Sequence, residues 1–300
     1  MTKSVLILGG NGYIGSRLFY DLHTKYNIHS VDISWFSNKN EGETIDYNQL
    51  TRKDLTKYDV VVLLAGHSSV KMCDGPMMSS WTNNVRNFMD LVSKLDKSQL
   101  LIYASSGSVY GSSNLTSIED VPIQFKPINN YDCTKYTLDV QAHRFILEGY
   151  KIVGLRFGTV NGWSPNTREE LMINSMTKKS IIDKIIDINN KSIVRPILGI
   201  SDASRVVEAI VDNPVAGIYN IASFSDTVEN ISNTVSGLLL SNIQTNPDLA
   251  GVYDFVMNTN KFKTTYNFEF KDTVYSIVQE IIDNFDHTNF SNRNRFINYE

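Results

Sequence analysis

A cluster of glycines directly follows the first apolar run of the chain, in the segment Gly9-Gly-Asn-Gly12-Tyr-Ile-Gly15. The residues before it, 5–8, predict a buried β-strand, and residues 13–26 after it predict a helix. Glycines at such a junction allow a tight turn, a close approach of the backbone to a phosphate, and close packing of the helix on the strand. The segment therefore predicts a strand–turn–helix unit whose helix begins at a potential anion site.

An acidic residue, Asp32, stands at the end of the second predicted strand, 28–32. Together with the glycine turn, it completes the pattern typical of dinucleotide binding. A carboxylate there accepts hydrogen bonds from the adenosine ribose hydroxyls and repels a 2′-phosphate, which favours NAD over NADP. Lys39 in the next loop would weaken this preference, although a solvated loop lysine is the simpler interpretation.

Short apolar runs alternate with amphipathic stretches through the first half of the chain. Further strands are predicted at 60–65, 100–104 and 152–156. This alternation predicts an α/β fold with a Rossmann-type, doubly wound parallel sheet. We expect an NAD-binding domain over residues 1–160 with a return segment near 200–222. Residues 161–300 are expected to form a smaller, mixed substrate lobe, with helical stretches near 169–186, 203–211 and 273–285.

Composition excludes several classes of protein. The chain is 42% hydrophobic with a net charge of −4, and it has no long run of like charges, so neither nucleic acid nor an anionic membrane is an expected partner. No apolar stretch approaches the roughly 20 residues of a membrane span. The two cysteines, Cys73 and Cys133, fit neither a disulfide framework nor a metal site, and no metal is expected. These features predict a cytoplasmic protein.

Several later segments resemble the extended short-chain dehydrogenase/reductases, specifically the NAD-dependent epimerase/dehydratase family and its UDP-glucose 4-epimerase-like members. The resemblance lies in the glycine spacing, in the serine segment 103–111 and in the Tyr-x-x-x-Lys element at 131–135. It implies an NAD cofactor, a nucleotide-sugar substrate and a homodimer. The cofactor contacts that it implies are Gly9, Gly12, Tyr13, Ile14, Gly15, Asp32, Asp54, Leu55, Leu64, Ala65, Gly66, Asn84, Tyr131 and Lys135.

The resemblance makes Ser106, Tyr131 and Lys135 the catalytic residues, with Ser105 as a competitor of Ser106. Residues four apart on a helix share a face, so Tyr131 and Lys135 can point at one cofactor. A nearby ammonium is expected to lower the tyrosine pKa from about 10 toward the working range of a general acid/base. Ser106 would hydrogen-bond the sugar oxygen that gains or loses a proton.

The residues after the serine pair separate the reactions of this family. Family dehydratases carry an Asp-Glu pair after the catalytic serine or threonine, and 3,5-epimerases carry a cysteine; this chain has Gly107 and Ser108. Both activities are therefore disfavoured. The remaining reactions are 4-epimerisation through a transient 4-keto sugar, and 4-keto reduction or alcohol oxidation. We favour the epimerase because Asp32 favours NAD, a cofactor that is regenerated in each turnover. A non-catalytic NAD-binding protein is the alternative from another class.

A second group of residues resembles the substrate contacts of the family. Arginine suits a nucleotide diphosphate because its planar fork pairs with two phosphate oxygens. Thr159 departs from the asparagine that many 4-epimerases have at this place. No arginine near Asp254 matches the carboxy-terminal arginine of many relatives. The substrate contacts that the resemblance implies are Ser106, Ser108, Thr159, Arg168, Asn174 and Arg195.

Overall fold

The sheet strands follow the apolar runs of the sequence. The structure is a computed structural model that describes residues 2–35, 42–112, 116–119 and 128–285; Lys39 lies outside these residues. In the described ranges the strands are β1 (Ser4–Leu8), β2 (Asn27–Asp32), β3 (Glu43–Thr44), β4 (Val60–Leu63), β5 (Leu100–Ser106), β6 (Lys151–Phe157), β7 (Thr159–Asn161), β8 (Ile185–Ile188), β9 (Val194–Gly199), β10 (Gly217–Ile221), β11 (Phe224–Thr227) and β12 (Asn242–Thr245).

The helices lie between these strands. They are α1 (Tyr13–Leu22), α2 (Arg52–Leu55), α3 (Val70–Cys73), α4 (Met77–Ser80), α5 (Asn87–Lys94), α6 (Asn130–Leu147), α7 (Met172–Ile182), α8 (Ile200–Asp212), α9 (Val228–Leu239), α10 (Asn260–Tyr266) and α11 (Val274–Asp283). Short 3₁₀ segments occupy Tyr47–Gln49 and Gly107–Tyr110, and a π-helical segment, Trp81–Arg86, joins α4 to α5.

Seven strands form one parallel sheet in the order β10-β6-β5-β4-β1-β2-β3. The chain winds outward from β1 in both directions, so β1 lies between β2 and β4. This is the doubly wound order, and it confirms the predicted fold class. The carboxyl ends of β1 and β4 flank the point where the winding direction reverses, which is where such sheets bind ligands.

Two apolar layers cover the two faces of this sheet. On one face, α1 and α8 pack over a core that includes Leu18, Val206 and Phe262, all at most 1% exposed. On the other, α5 and α6 cover a core that includes Phe88 and Tyr103. Because both faces are buried, the strands read as continuous apolar runs rather than alternating ones.

A smaller mixed lobe accompanies the sheet, as predicted. It contains the strand set β11-β9-β7, the parallel pair β12-β8, and a core shared by α7, α9 and α11. The helix predicted over 169–186 is shorter than expected, because its last residues belong to β8. Ile186 and Ile188 are buried while Ile185 and Asp187 are exposed, which is the alternation of a half-buried strand.

The start of α8 is tied to the segment before α11 by two carboxylates. Asp272 Oδ2 accepts a hydrogen bond from Asp202 N at 2.8 Å, and Asp202 Oδ2 accepts one from Asp272 N at 2.9 Å. Asp202 also accepts from the Ser223 hydroxyl at 2.7 Å. Burial, followed by the charge of Glu280, raises the pKa of Asp272 to about 6 from 3.8.

Asp272 is expected to make stability depend on pH. Its pKa is higher in the folded chain than in the unfolded one, so the folded state binds the proton more tightly and the group opposes folding above pH 6. That penalty disappears as the pH falls from 6 toward 4. We expect Asp272→Asn to raise the free energy of unfolding at pH 8 by about 1–2 kcal/mol and to have no effect near pH 4. Urea denaturation at both pH values checks this; equal effects at both would contradict it.

A buried ion pair joins α6 to β6. Arg156 Nε lies 2.7 Å from Asp139 Oδ2, and their side chains are only 6% and 2% exposed. The Tyr103 hydroxyl donates to Asp139 at 2.8 Å, and Arg156 donates to the Tyr110 hydroxyl at 2.7 Å. These partners satisfy both charges, so the network holds α6 in a fixed position on the sheet.

None of the helices in the described ranges combines the length and apolar character that crossing a membrane requires.

Candidate active site

A cavity of about 350 Å³ opens at the carboxyl edge of the parallel sheet. We call it the main cavity, and its polar wall contains Ser106, Ser108, Tyr131, Lys135, Arg168 and Arg195. A second cavity of about 210 Å³, the side cavity, continues from it past Gly9 and Gly66 to Asp32 and Trp35. The glycine loop 9–15 lies between the two.

Two glycines of the loop, Gly9 and Gly15, have no room for a side chain. Gly9 has φ +89°, and a Cβ there would lie 2.6 Å from the backbone nitrogen of Ala65. A Cβ on Gly15 would lie 2.2 Å from the Gly9 carbonyl oxygen. Gly12 is the N-cap of α1, so no side chain caps the first helical amides, and this helix start lines the main cavity. This cradle fits the pyrophosphate of a dinucleotide, since amides at a helix start attract anions.

Asp32 lies at the side cavity with its carboxylate held by backbone amides. Oδ2 accepts from Asn11 N at 2.9 Å, and Oδ1 accepts from Ser34 N at 2.8 Å. A carboxylate has about four acceptor positions, so two remain for ribose hydroxyls. The predicted dinucleotide contacts Gly9, Gly12, Leu64, Ala65 and Gly66 line this cavity as well. Tyr13, Ile14 and Gly15 line the main cavity.

The predicted cofactor contacts Asp54 and Leu55 do not lie at either cavity. Asp54 forms a capping box with Thr51 and an ion pair with Lys57 at 3.2 Å, and Leu55 is fully buried in the core. Besides Asp32, the acidic residue that lines the side cavity is Asp46, in the loop after β3. Asp46 and Asp54 both precede β4 in the chain. Only the pairing of β3 with β2 identifies Asp46 as the one that lies at the sheet edge.

Asn84 has a positioning role behind the cavity wall. Its Oδ1 accepts from His67 N at 2.8 Å, while Nδ2 donates to the His67 carbonyl at 3.1 Å and to Thr134 Oγ1 at 3.0 Å. It is 4% exposed and lines neither cavity. These bonds connect the loop after β4 to α6, so Asn84 supports the predicted cofactor site from behind.

The structure brings Ser106, Tyr131 and Lys135 together on one wall of the main cavity. Ser106 ends β5, and its hydroxyl lies near enough to Tyr131 to lower the pKa of the phenol. Lys135, one helical turn after Tyr131, donates to the Ala104 carbonyl at 2.8 Å, with Nζ 5.8 Å from the centre of the tyrosine ring. Ser105 lines the same wall, but its hydroxyl has no hydrogen-bond partner within the described ranges. The effect on the pKa of Tyr131 distinguishes Ser106 from its neighbour.

The expected lowering of the tyrosine pKa is not found. Burial raises the pKa of Tyr131 to about 12, and the hydrogen bond from Ser106 and the charge of Arg168 offset only part of this. Burial likewise lowers the pKa of Lys135 to about 8. Desolvation dominates because both groups lie inside the wall. At neutral pH Tyr131 is therefore a neutral phenol, able to donate a proton.

The cations of the main cavity have no acidic counterpart among the described residues that line it. Arg195 Nη2 donates to Thr159 Oγ1 at 3.2 Å, and its Nε is buried with no hydrogen-bond partner in the described part of the chain. Arg168 Nε pairs with Glu170 at 2.8 Å, outside the lining. A cavity walled by Lys135, Arg168 and Arg195 suits an anionic ligand.

Asn174, a predicted substrate contact, does not lie at the cavity. It is 0% exposed, and its Oδ1 accepts from Gly162 N at 2.8 Å. Its Nδ2 donates to the Tyr13 hydroxyl at 3.2 Å and to the Arg168 carbonyl at 2.9 Å. Tyr13 in turn donates to the Gly162 carbonyl at 2.7 Å. The Asn174 amide therefore links α1, α7 and the loop between β7 and α7 by hydrogen bonds.

Sequence reasoning missed several residues that line the cavities. Tyr253 and Phe255 enter the main cavity from the segment after β12, and Trp35 and Tyr47 enter the side cavity. Aromatic residues in loops carry no positional signal in a single sequence. Asp46 likewise carried no usable signal, because its place at the side cavity depends on the pairing of β3 with β2.

The chain matches known proteins over most of its length. Its residues 5–222 match the model of the "NAD dependent epimerase/dehydratase family". Protein CapI of Staphylococcus aureus is 27% identical over 236 residues, which cover 71% of this chain and 70% of that protein. Enzymes named as 4-dehydrogenases and 4,6-dehydratases are also among the matches.

Many solved structures share the fold, and two of them serve as examples. The UDP-N-acetylglucosamine 4-epimerase from Methanobrevibacter ruminantium, in complex with UDP-N-acetylmuramic acid, superposes with a TM-score of 0.86 at 17% identity, covering 95% of this chain and 99% of that one. MoeE5 in complex with UDP-glucuronic acid and NAD gives 0.82 at 20% identity, with the same coverage. With the family match over residues 5–222, the chain belongs to the NAD-dependent epimerase/dehydratase family of enzymes.

Proposed function

We propose that this enzyme interconverts 4-epimers of a nucleotide sugar by transient oxidation at C4. The observation that carries the proposal is the convergence of Ser106, Tyr131 and Lys135 on a cavity that Arg168 and Arg195 also line. Gly107 and Ser108 stand where family dehydratases have their acidic pair, which argues against elimination of water.

The chain offers a matching place for each part of the reactants. The glycine loop and Asp32 would hold NAD, which when bound accepts a hydride from the sugar and returns it. Arg168 and Arg195 would bind the nucleotide diphosphate, beside Thr159. We assign the cofactor to residues 1–160 with the return segment near 200–222, and the nucleotide sugar to residues 161–300.

Ser106 and Tyr131 are the residues that would act on the proton of the C4 hydroxyl. Ser106 would orient the C4 hydroxyl by a hydrogen bond, and Tyr131 would take the hydroxyl proton and later give it back. Lys135 is positioned to stabilise the ionised tyrosine and to hold a ribose. For Tyr131 to act as a base, the unfavourable effect of burial on its phenolate must be offset at the moment of reaction.

The choice of 4-epimerase over reductase rests on the carboxylate of Asp32, which disfavours a phosphorylated ribose, and on the epimerases among the relatives. Incubation of the purified enzyme with UDP-glucose, UDP-glucuronic acid or UDP-N-acetylglucosamine, without added NADH, tests it. We expect the 4-epimer to accumulate to an equilibrium ratio with no net change in absorbance of reduced cofactor. Stoichiometric consumption of NADH with a 4-keto sugar would instead favour the reductase, and NAD binding without any turnover would favour a non-catalytic role.

A homodimer in the cytoplasm is part of the same proposal. Val140 and Leu147 on α6 are 47% and 76% exposed, which gives a second copy an apolar helix surface to cover. Light scattering of the purified protein measures the mass, and a monomer at micromolar concentration would contradict the dimer.

A further inference from the structure

An aromatic segment of the substrate lobe enters the main cavity. Tyr253 and Phe255 both line it, and Tyr253 is half-buried. The proposed reaction assigns no task to either ring. Ligand cavities are commonly walled by aromatic side chains, with a few polar groups that fix the orientation of the ligand. The position of Tyr253 between the polar residues of the cavity therefore indicates which part of a ligand it would contact.

The backbone of this segment is fixed beside Arg195. Asp254 Oδ1 accepts a hydrogen bond from Val194 N at 2.8 Å, and Phe255 N donates to the Val194 carbonyl at 3.3 Å. Arg195 is the next residue of β9, and it lines the same cavity. The segment that carries Tyr253 therefore lies next to the strand that carries the arginine.

The hydroxyl of Tyr253 reaches the start of α6, beside Tyr131. It donates to Asp132 Oδ2 at 2.6 Å and accepts from Asn129 Nδ2 at 2.7 Å. Asp132 directly follows Tyr131 in α6. The side chain thus extends from the strand of Arg195 to the helix of Tyr131. Because the hydroxyl already has a donor and an acceptor as partners, the part of this side chain that is left for a ligand is the ring.

The proposed substrate has to occupy the space between these two ends. In a nucleotide sugar the diphosphate is attached to C1, and C4 lies across the pyranose ring. If the diphosphate lies at Arg195 and C4 lies at Tyr131, the sugar lies along the ring of Tyr253. The C–H bonds on one face of a pyranose present apolar surface that an aromatic ring can cover. Ser106 and Ser108 offer hydroxyls to the polar groups of the same sugar.

We propose that Tyr253 is a sugar-binding residue whose ring covers an apolar face of the hexose between the diphosphate and C4. The inference rests on the proposed function, which supplies the positions of the diphosphate at Arg195 and of C4 at Tyr131. The hydroxyl holds the ring in place through Asp132 and Asn129 and does not contact the sugar. Affinity for the sugar should therefore depend on the ring of Tyr253 and only weakly on its hydroxyl.

Calorimetry with UDP and with UDP-sugars tests the inference without turnover. The probes are UDP and whichever of UDP-glucose, UDP-glucuronic acid and UDP-N-acetylglucosamine the purified enzyme binds most tightly with NAD present. Tyr253→Ala should raise the Kd of the UDP-sugar by about 3–10-fold and leave the Kd of UDP within about twofold of the wild type. Tyr253→Phe, which keeps the ring, should leave both within about twofold. Tyr275→Ala is the matched control, since Tyr275 is 57% exposed on α11 and lines neither cavity.

Three results would overturn the inference. An equal loss of affinity for UDP and for the UDP-sugar in Tyr253→Ala would mean that the ring only supports the shape of the cavity. A loss in Tyr253→Phe as large as that in Tyr253→Ala would assign the contact to the hydroxyl. Wild-type affinities in Tyr253→Ala would mean that the ring contacts no part of the sugar. Tyr253→Gln, which removes the ring and keeps a hydrogen-bonding group, takes the place of Tyr253→Ala if that variant does not fold.

The same titrations separate this inference from the proposed function. If the wild type binds neither UDP nor any of the UDP-sugars, the proposed function fails and the role of Tyr253 fails with it. If the wild type binds and epimerises a UDP-sugar while Tyr253→Ala keeps its affinity for that sugar, only the role of Tyr253 fails.

Discussion

Replacing Tyr131 by phenylalanine is expected to lower kcat for 4-epimerisation by about 10²–10⁴-fold, the usual contribution of a positioned acid/base. Binding of NAD should change little, since the substitution removes only the hydroxyl and the ring remains. The loss should persist across the pH range, because phenylalanine has no proton to exchange. Initial rates with the three UDP-sugars, and NAD affinity by calorimetry, measure the two effects.

Tyr20→Phe provides the control for this change. Tyr20 is 55% exposed on α1 and contacts Trp163 through its ring, so removal of its hydroxyl should leave turnover unchanged. If Tyr131→Phe kept more than about a tenth of the wild-type rate, the acid/base role would be refuted. A loss of NAD affinity as large as the loss in kcat would indicate a distorted site instead.

Replacing Asp139 by alanine is expected to lower the free energy of unfolding by about 3–5 kcal/mol. The variant leaves the Arg156 guanidinium 6% exposed with no carboxylate partner, and it removes the acceptor of the Tyr103 hydroxyl. The loss of stability arises because the buried charge of Arg156 is left unpaired, not because the ion pair itself contributes that much to folding. Urea denaturation followed by circular dichroism measures it.

The matched comparison is Asp90→Ala, which breaks the 2.7 Å pair with Lys94 where the carboxylate side chain is 49% exposed. Water replaces such a partner, so we expect a change of no more than about 1 kcal/mol. A similar small change for Asp139→Ala would mean that water reaches Arg156, and that the network is not a rigid support for α6.

Features that depend on neighbouring residues in the chain were predictable from sequence. The glycine loop, the end of β2 at Asp32 and the helical spacing of Tyr131 and Lys135 are local patterns, and each occupies the expected place at the cavities. The parallel sheet followed from the alternation of apolar and amphipathic segments. The arrangement of Ser106 against Tyr131 came from the resemblance to the family rather than from any local rule.

Features that depend on distant contacts were not predictable. Asp54 and Asp46 look alike in sequence, and only the pairing of β3 with β2 brings Asp46 to the cavity. Asn174 was predicted as a substrate contact from the resemblance to the family, yet its amide donates to the Tyr13 hydroxyl. The direction of the Tyr131 pKa shift was predicted wrongly. The spacing of Tyr131 and Lys135 in the sequence indicates a nearby ammonium, but it does not indicate the burial that outweighs the effect of the ammonium.

The Tyr13 hydroxyl, bonded to the Gly162 carbonyl and to Asn174, fastens the first turn after the glycine loop to the segment that leads to Arg168. A dinucleotide that displaces this helix start would drag the arginine-bearing loop with it. Such a movement would link the occupancy of the two cavities thermodynamically, and each ligand would then alter the affinity of the other by the same factor.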